Sequence, residues 1–142
     1  MSPALDLPEI LLAPRELDFP RPDVPGRHYV GATVDLDRRE PELDWSRLDA
    51  RRPLVYCSLG SQSHLYPRAR PLLRAVIDAL AARPDWQGLV AVGPHLPRAE
   101  FPAPEHVVVV DFAPQLAVLR RARVMITHGG LGAVRELSLI HI

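Results

Sequence analysis

Two short glycine-rich runs hold the residues of this 142-residue chain best suited to chemistry. The first is Ser58-Leu59-Gly60-Ser61, and the second is Thr127-His128-Gly129-Gly130-Leu131-Gly132-Ala133. Glycine admits positive φ and lets a backbone come close to a ligand. Amides opening a helix after such a run bind anions, helped by the helix dipole. The chemistry on offer is therefore capture of an anion, a phosphate above all. His128 can donate a hydrogen bond to that anion, although a histidine satisfied for structural reasons carries the same signature. Glu136 lies one helical turn beyond Gly132. Pointed inward it would repel phosphate but suit a sugar hydroxyl; an exposed charge near a helix start is the plainer reading.

The spacing fits neither common phosphate motif. There is no GxxxxGK[ST] and no GxGxxG after the first strand, which argues against a Walker-type ATPase and a typical NAD site. His28, His64, His95, His106 and His141 have no zinc-ligand spacing and read as solvated loop positions. Cys57 sits in an apolar run and reads as a small buried hydrophobe. Ser61 lacks GxSxG flanks, and Trp45 and Trp86 read as caps on the core.

The glycine runs need strands and helices to position them. Residues 1–52 are rich in proline and charge and supply short apolar pieces, Ile10-Leu11-Leu12 and Tyr29-Val30 among them. They could add a strand or two but need something to lean on; a linker or disordered tail is the alternative. After residue 52 strands and helices alternate. Strands are expected at 54–59, 89–92, 107–110 and 124–127. The spacing of Leu72, Leu73, Val76, Ile77 and Leu80 predicts a helix over 71–83 with Pro71 at its first position. A short helix over 114–122 and a helical start at 133–137 complete the pattern. The continuously apolar strands argue for an α/β fold, a Rossmann-like doubly wound parallel sheet with right-handed crossovers. In strand order 3-2-1-4 both glycine runs meet at the crevice where the order reverses.

Composition narrows the partners. The 17 basic residues, all arginine, balance 17 acidic ones, so no broad basic face invites nucleic acid or an anionic membrane. No apolar run approaches the roughly 20 residues of a membrane span, and the N-terminus lacks secretory-signal character. One cysteine permits no internal disulfide. These features lead to the expectation of a cytoplasmic protein.

The run VVVVDFAPQLAVLRRARVMITHGGLGAVRE (107–136) closely resembles the donor-binding signature of family 1 glycosyltransferases, the UDP-glycosyltransferases and bacterial macrolide and carotenoid enzymes. PLVYCSLGS (53–61) looks like the first strand and loop of the same domain, and ELDFPRPDVPGRHYVGA (16–32) like the passage between that family's two domains. The resemblance implies a GT-B architecture, with 1–52 as the interdomain connecting segment, 53–137 as the first half of the nucleotide-sugar-binding domain and 138–142 as an aberrant or truncated tail. It implies that Phe112 stacks on the base, that Ala113 offers it backbone, and that Gln115 bonds near base or ribose. His128 would contact the donor phosphate, Gly129, Gly130, Gly132 and Ala133 would present amides to the diphosphate, and Glu136 would hold ribose hydroxyls. Gly60 and Ser61 would close the crevice from the other side.

The implied reaction is inverting transfer of a hexosyl group from a UDP- or dTDP-sugar to a hydroxyl of a small-molecule acceptor. The nucleotide sugar is a substrate; no cofactor or metal is implied. Many members have asparagine and serine or threonine where this chain has Gly132 and Ala133. The family's Gly-Val-Pro turn, its acidic–glutamine pair and its N-terminal acceptor domain with the catalytic histidine have no counterpart here. The chain alone is therefore expected to be inactive, with no catalytic residue of its own. A non-catalytic nucleotide-binding module and a non-functional truncated fragment are the alternatives.

Overall fold

The computed structural model describes residues 7–141, with side chains through residue 138. Among the described residues before 53, the prolines and charges leave two three-residue strands, β1 (Glu9–Leu11) and β2 (Arg27–Tyr29), paired in parallel. Side chains pin this pair: Arg27 Nε donates to Glu9 at 2.6 Å, and Tyr29 Oη donates to Asp18 at 2.6 Å.

The alternating apolar runs after residue 52 build one four-stranded parallel sheet. Its strands are β3 (Leu54–Ser58), β4 (Gln87–Ala91), β5 (Val107–Val110) and β6 (Ala122–Thr127), in spatial order β5-β4-β3-β6. That is the expected 3-2-1-4 order. Helices α1 (Ala69–Ala81), α2 (Gln115–Leu119) and α3 (Leu131–His141) follow β3, β5 and β6. Successive strand residues enter opposite layers, as period-2 geometry requires. Val55, Cys57, Val90, Val92 and Val107 pack against Leu73, Val76, Ile77 and Leu80 of α1. Leu54, Tyr56, Leu89, Ala91 and Val108 pack on the other face with Val118 and Leu119 of α2. Both faces of β5 are thus covered, as its four valines lead one to expect. Burial of a side chain such as Leu73 contributes ~1.5–3 kcal/mol.

The segment before β3 is more than a passive linker. Leu43, Trp45 and Leu48 pack on the second core layer, and Arg121 lies 3.9 Å above the Trp45 ring. Buried Gln87 bonds the segment to the sheet: its Oε1 accepts from Asp49 N at 2.8 Å, and its Nε2 donates to Asp49 O at 2.6 Å and Arg52 O at 2.9 Å.

Several boundaries differ from the sequence reading. Helix α1 begins at Ala69, so Pro71 is its third residue rather than its first. The first-turn N–H groups have no intrahelical acceptor, so proline is tolerated there. Strand β4 starts at Gln87-Gly88 rather than Leu89, and Gly88 fits because a Cβ there would meet Leu80 Cδ1 at 2.7 Å. Strand β6 starts earlier, at Ala122, and α3 runs from Leu131 rather than Ala133. His106 is no free loop position: its Nε2 lies 3.0 Å from Leu80 O. Of the segments named at the two ends, residues 1–6 and 142 lie outside the described residues.

Candidate functional site

The C-terminal ends of the four strands open into one cleft of about 590 Å³. It lies where the strand order reverses between β3 and β6, the place where open α/β sheets bind ligands. The predicted residues Gly60, Ser61, Phe112, Ala113, Gln115, His128, Gly130, Gly132 and Ala133 all line it. Gly129 and Glu136 stand outside that lining.

One wall is the turn after β3. Gly60 has φ 85°, a left-handed conformation that L side chains rarely adopt. Its carbonyl accepts from Ser63 N at 3.2 Å, and buried Ser63 Oγ donates to Val92 O at 3.1 Å, tying the turn to the end of β4. The opposite wall is the turn after β6. Gly129 reverses the chain at φ 75°, and Val134 N donates to Gly130 O at 3.1 Å to close the first turn of α3. The leading amides of α3 have no acceptor within the helix and are available to an anion.

The His128 ring lies between the two walls. A Cβ on Gly60 would meet its Cε1 at 2.9 Å, and a Cβ on Gly130 would meet its Nε2 at 2.5 Å. Both positions are glycine because the imidazole takes that space. Around Gly132 a Cβ would meet nothing within 4 Å, so an asparagine there would have room. Just past the end of β5, Phe112 is 50% exposed and lines the cleft.

Behind the lining runs a chain of hydrogen bonds. Tyr56 Oη donates to Gln115 Oε1 at 3.1 Å, and Gln115 Nε2 donates to Glu136 Oε2 at 2.7 Å. Arg38 Nη1 donates to Glu136 Oε1 at 2.5 Å and Arg38 Nη2 to Glu40 Oε1 at 2.9 Å. Glu40 in turn accepts from the Leu116 and Ala117 amides at 3.0 and 3.3 Å, capping α2. Burial pushes the Glu40 carboxyl upward, but the Leu116 amide and Arg38 outweigh it and hold the group below its ordinary range. The bond to Glu136 raises the already high pKa of Arg38. Burial pushes the Tyr56 phenol up to about 12. Glu136 is 6% exposed, so the plainer reading of a solvated charge near a helix start is corrected: the carboxylate is buried and paired.

Arg38, Tyr56, Gln62, Tyr66 and Asp111 also line the cleft and were not picked out from sequence. Tyr56 carried a signal, a phenol hydroxyl in the middle of a largely apolar strand. Arg38 carried none, being one of many arginines in a charged stretch 98 residues before Glu136. Together the lining offers anion-binding amides, an imidazole, aromatic side chains and acceptors for hydroxyl groups.

Comparison with protein-family models gives no match. Among curated proteins the chain is 34% identical over 115 residues to the demethyllactenocin mycarosyltransferase of Streptomyces fradiae, covering 80% of this chain and 23% of that protein. It is 34% identical over 128 residues to the zeaxanthin glucosyltransferase of Pantoea ananas, covering 85% and 28%. The chain thus spans about a quarter of the length of these relatives. Among solved structures, the kitacinnamycin glycosyltransferase superposes with a TM-score of 0.71 at 33% identity, covering 89% of this chain and 32% of that one. A calicheamicin glycosyltransferase superposes with a TM-score of 0.60 at 28% identity, covering 81% and 27%. By sequence and by fold, this chain is a relative of the macrolide and carotenoid glycosyltransferases and carries part of their GT-B fold.

Proposed function

We propose that the cleft binds the nucleoside diphosphate part of a UDP- or dTDP-sugar, and that the whole protein transfers its hexosyl group to a hydroxyl of a small molecule. The observation behind this reading is the pair of glycine turns at the strand-order reversal, with the His128 ring between them. In this scheme residues 1–52 connect two domains and 53–137 form the first half of the donor-binding one.

Each residue then has a task. The α3 amides at Gly130 to Ala133 and the His128 imidazole would hold the diphosphate. Phe112 would stack on the base, with Ala113 and Gln115 at its edge. Glu136 would accept from the ribose hydroxyls. Gly60 and Ser61 would close the near side.

During transfer the acceptor oxygen bonds to the anomeric carbon from the face opposite the diphosphate, whose own bond to that carbon breaks, so the configuration inverts. The hydroxyl proton goes to a base outside these 142 residues. Negative charge grows on the departing diphosphate, where preorganised donors are most effective. The nucleotide sugar is a substrate here, and the scheme calls on no cofactor or metal. On this reading the 142-residue chain binds donor but does not turn it over. Nothing among the described residues is a helix long and apolar enough to cross a membrane; a cytoplasmic site of action belongs to the same proposal.

Titration of UDP and dTDP into the chain, with and without His128→Ala, tests the assignment. The reading expects saturable binding that the substitution weakens roughly ten- to hundredfold, the range of a hydrogen bond to a charged group. Binding that the substitution leaves untouched would count against the cleft.

A further inference from the structure

The segment preceding β3 enters the cleft at Arg38. That guanidinium is held at both ends of its fork, by Glu136 at 2.5 Å and Glu40 at 2.9 Å. Glu40 is itself fixed by two amides of α2. On its far side Glu136 takes the Gln115 amide at 2.7 Å, and Gln115 accepts from Tyr56 in the central strand. The carboxylate is therefore oriented from two directions, by a side chain of α2 and by one from a segment about 98 residues away.

A carboxylate has about four lone-pair sites. Arg38 uses a site on Oε1 and Gln115 one on Oε2, which leaves one acceptor site on each oxygen. Glu136 itself stands behind the cleft wall, but both of its partners, Arg38 and Gln115, line the cleft, and the two adjacent free sites match a vicinal diol that reaches in beside them, each hydroxyl donating to one oxygen. The Glu136 side chain is only 8% exposed, and a carboxylate that deep is costly without a cation beside it, which Arg38 supplies.

We propose that Arg38 is a positioning residue of the nucleotide site, fixing the Glu136 carboxylate so that its free lone pairs receive the ribose diol. The inference rests on the donor-site reading given above. It makes the connecting segment part of the site, so that residues 38–40 and the nucleotide are thermodynamically linked through Glu136.

A purely structural Arg38 would stabilise the chain and treat every ligand alike. The test compares UDP with 2′,3′-dideoxy-UDP, which lacks only the diol, by calorimetric titration into the 142-residue chain. Arg38→Met should weaken UDP about tenfold and leave the dideoxy compound unchanged. Adding Glu136→Gln to Arg38→Met should cost UDP nothing further, because the two residues act as one unit. Equal losses for both ligands, or no loss for UDP, would overturn the inference while leaving the donor site in place. Failure of the unaltered chain to bind UDP at all would overturn both. Should the methionine variant not fold, Arg38→Gln, which keeps an amide donor but no charge, carries the same comparison with the same outcomes.

Discussion

The imidazole of His128 fills the space that a side chain at Gly60 would need, with its Cε1 2.9 Å from where that Cβ would stand. Two turns about 68 residues apart in sequence are thereby matched: one is bare so that the other can place its ring. Gly60→Ala should thus do two things. The left-handed φ of 85° costs about 1–2 kcal/mol of stability, and the new methyl pushes the ring aside, weakening nucleotide binding several-fold. Gly31→Ala is the control, since φ is 75° there and nothing lies within 4 Å. It should lower the melting temperature comparably and leave nucleotide affinity alone.

Space at Gly132 points the opposite way. With nothing within 4 Å of its missing Cβ, Gly132→Asn can be housed and adds a donor at the mouth of α3. A hydrogen bond to a charged group is worth about 1.5–3 kcal/mol, so UDP affinity should rise roughly ten- to hundredfold. Titration of the variant beside the unaltered chain checks this, and weaker binding would remove Gly132 from the diphosphate wall.

Gln87 is the test of how firmly the connecting segment is built in. Its side chain satisfies three backbone groups of residues 49–52 from a site only 5% exposed. Gln87→Ala leaves buried donors and acceptors unmet, at about 1–3 kcal/mol. Urea denaturation should show that loss. Below the transition, UDP affinity should fall only as far as residues 38–40 are loosened with the segment.

Alkaline pH should destabilise the chain. Burial raises the Cys57 thiol from 9.0 to about 12 and the Tyr56 phenol from 10.0 to about 12. Between those limits the unfolded chain releases protons that the folded chain keeps. Stability is therefore undiminished below about pH 9 and falls as pH rises toward 12. One proton corresponds to ~1.4 kcal/mol per pH unit. Urea midpoints should decline from about pH 9, and Cys57→Ala should delay the onset by about one unit.

Much of this architecture was legible in the sequence. The largely apolar run at 54–59, the four valines at 107–110 and the helical spacing of Leu73, Ile77 and Leu80 follow local rules, and the crossover rule orders the strands around them. The glycine runs declared themselves because backbone needs at strand ends are local. Glu136 was read as a candidate, but its burial was not, since burial depends on Arg38 and Gln115 arriving from elsewhere. Residues 33–52 were obscured for the same reason. Their tertiary anchors, Gln87 for Asp49 and Arg121 for Trp45, lie dozens of residues away in the chain. Gln87 broke the apolar strand pattern, and its burial is explained only by the carbonyls it bonds.

The most direct test of the donor cleft is a residue-resolved titration: amide chemical shifts of the 142-residue chain followed as UDP and then dTDP are added. The account predicts saturable shifts concentrated at Gly60-Ser61, Phe112-Ala113 and Gly129 to Ala133, with far smaller changes along α1. Saturation with shifts confined to another face, or no shift at millimolar nucleotide, would contradict it.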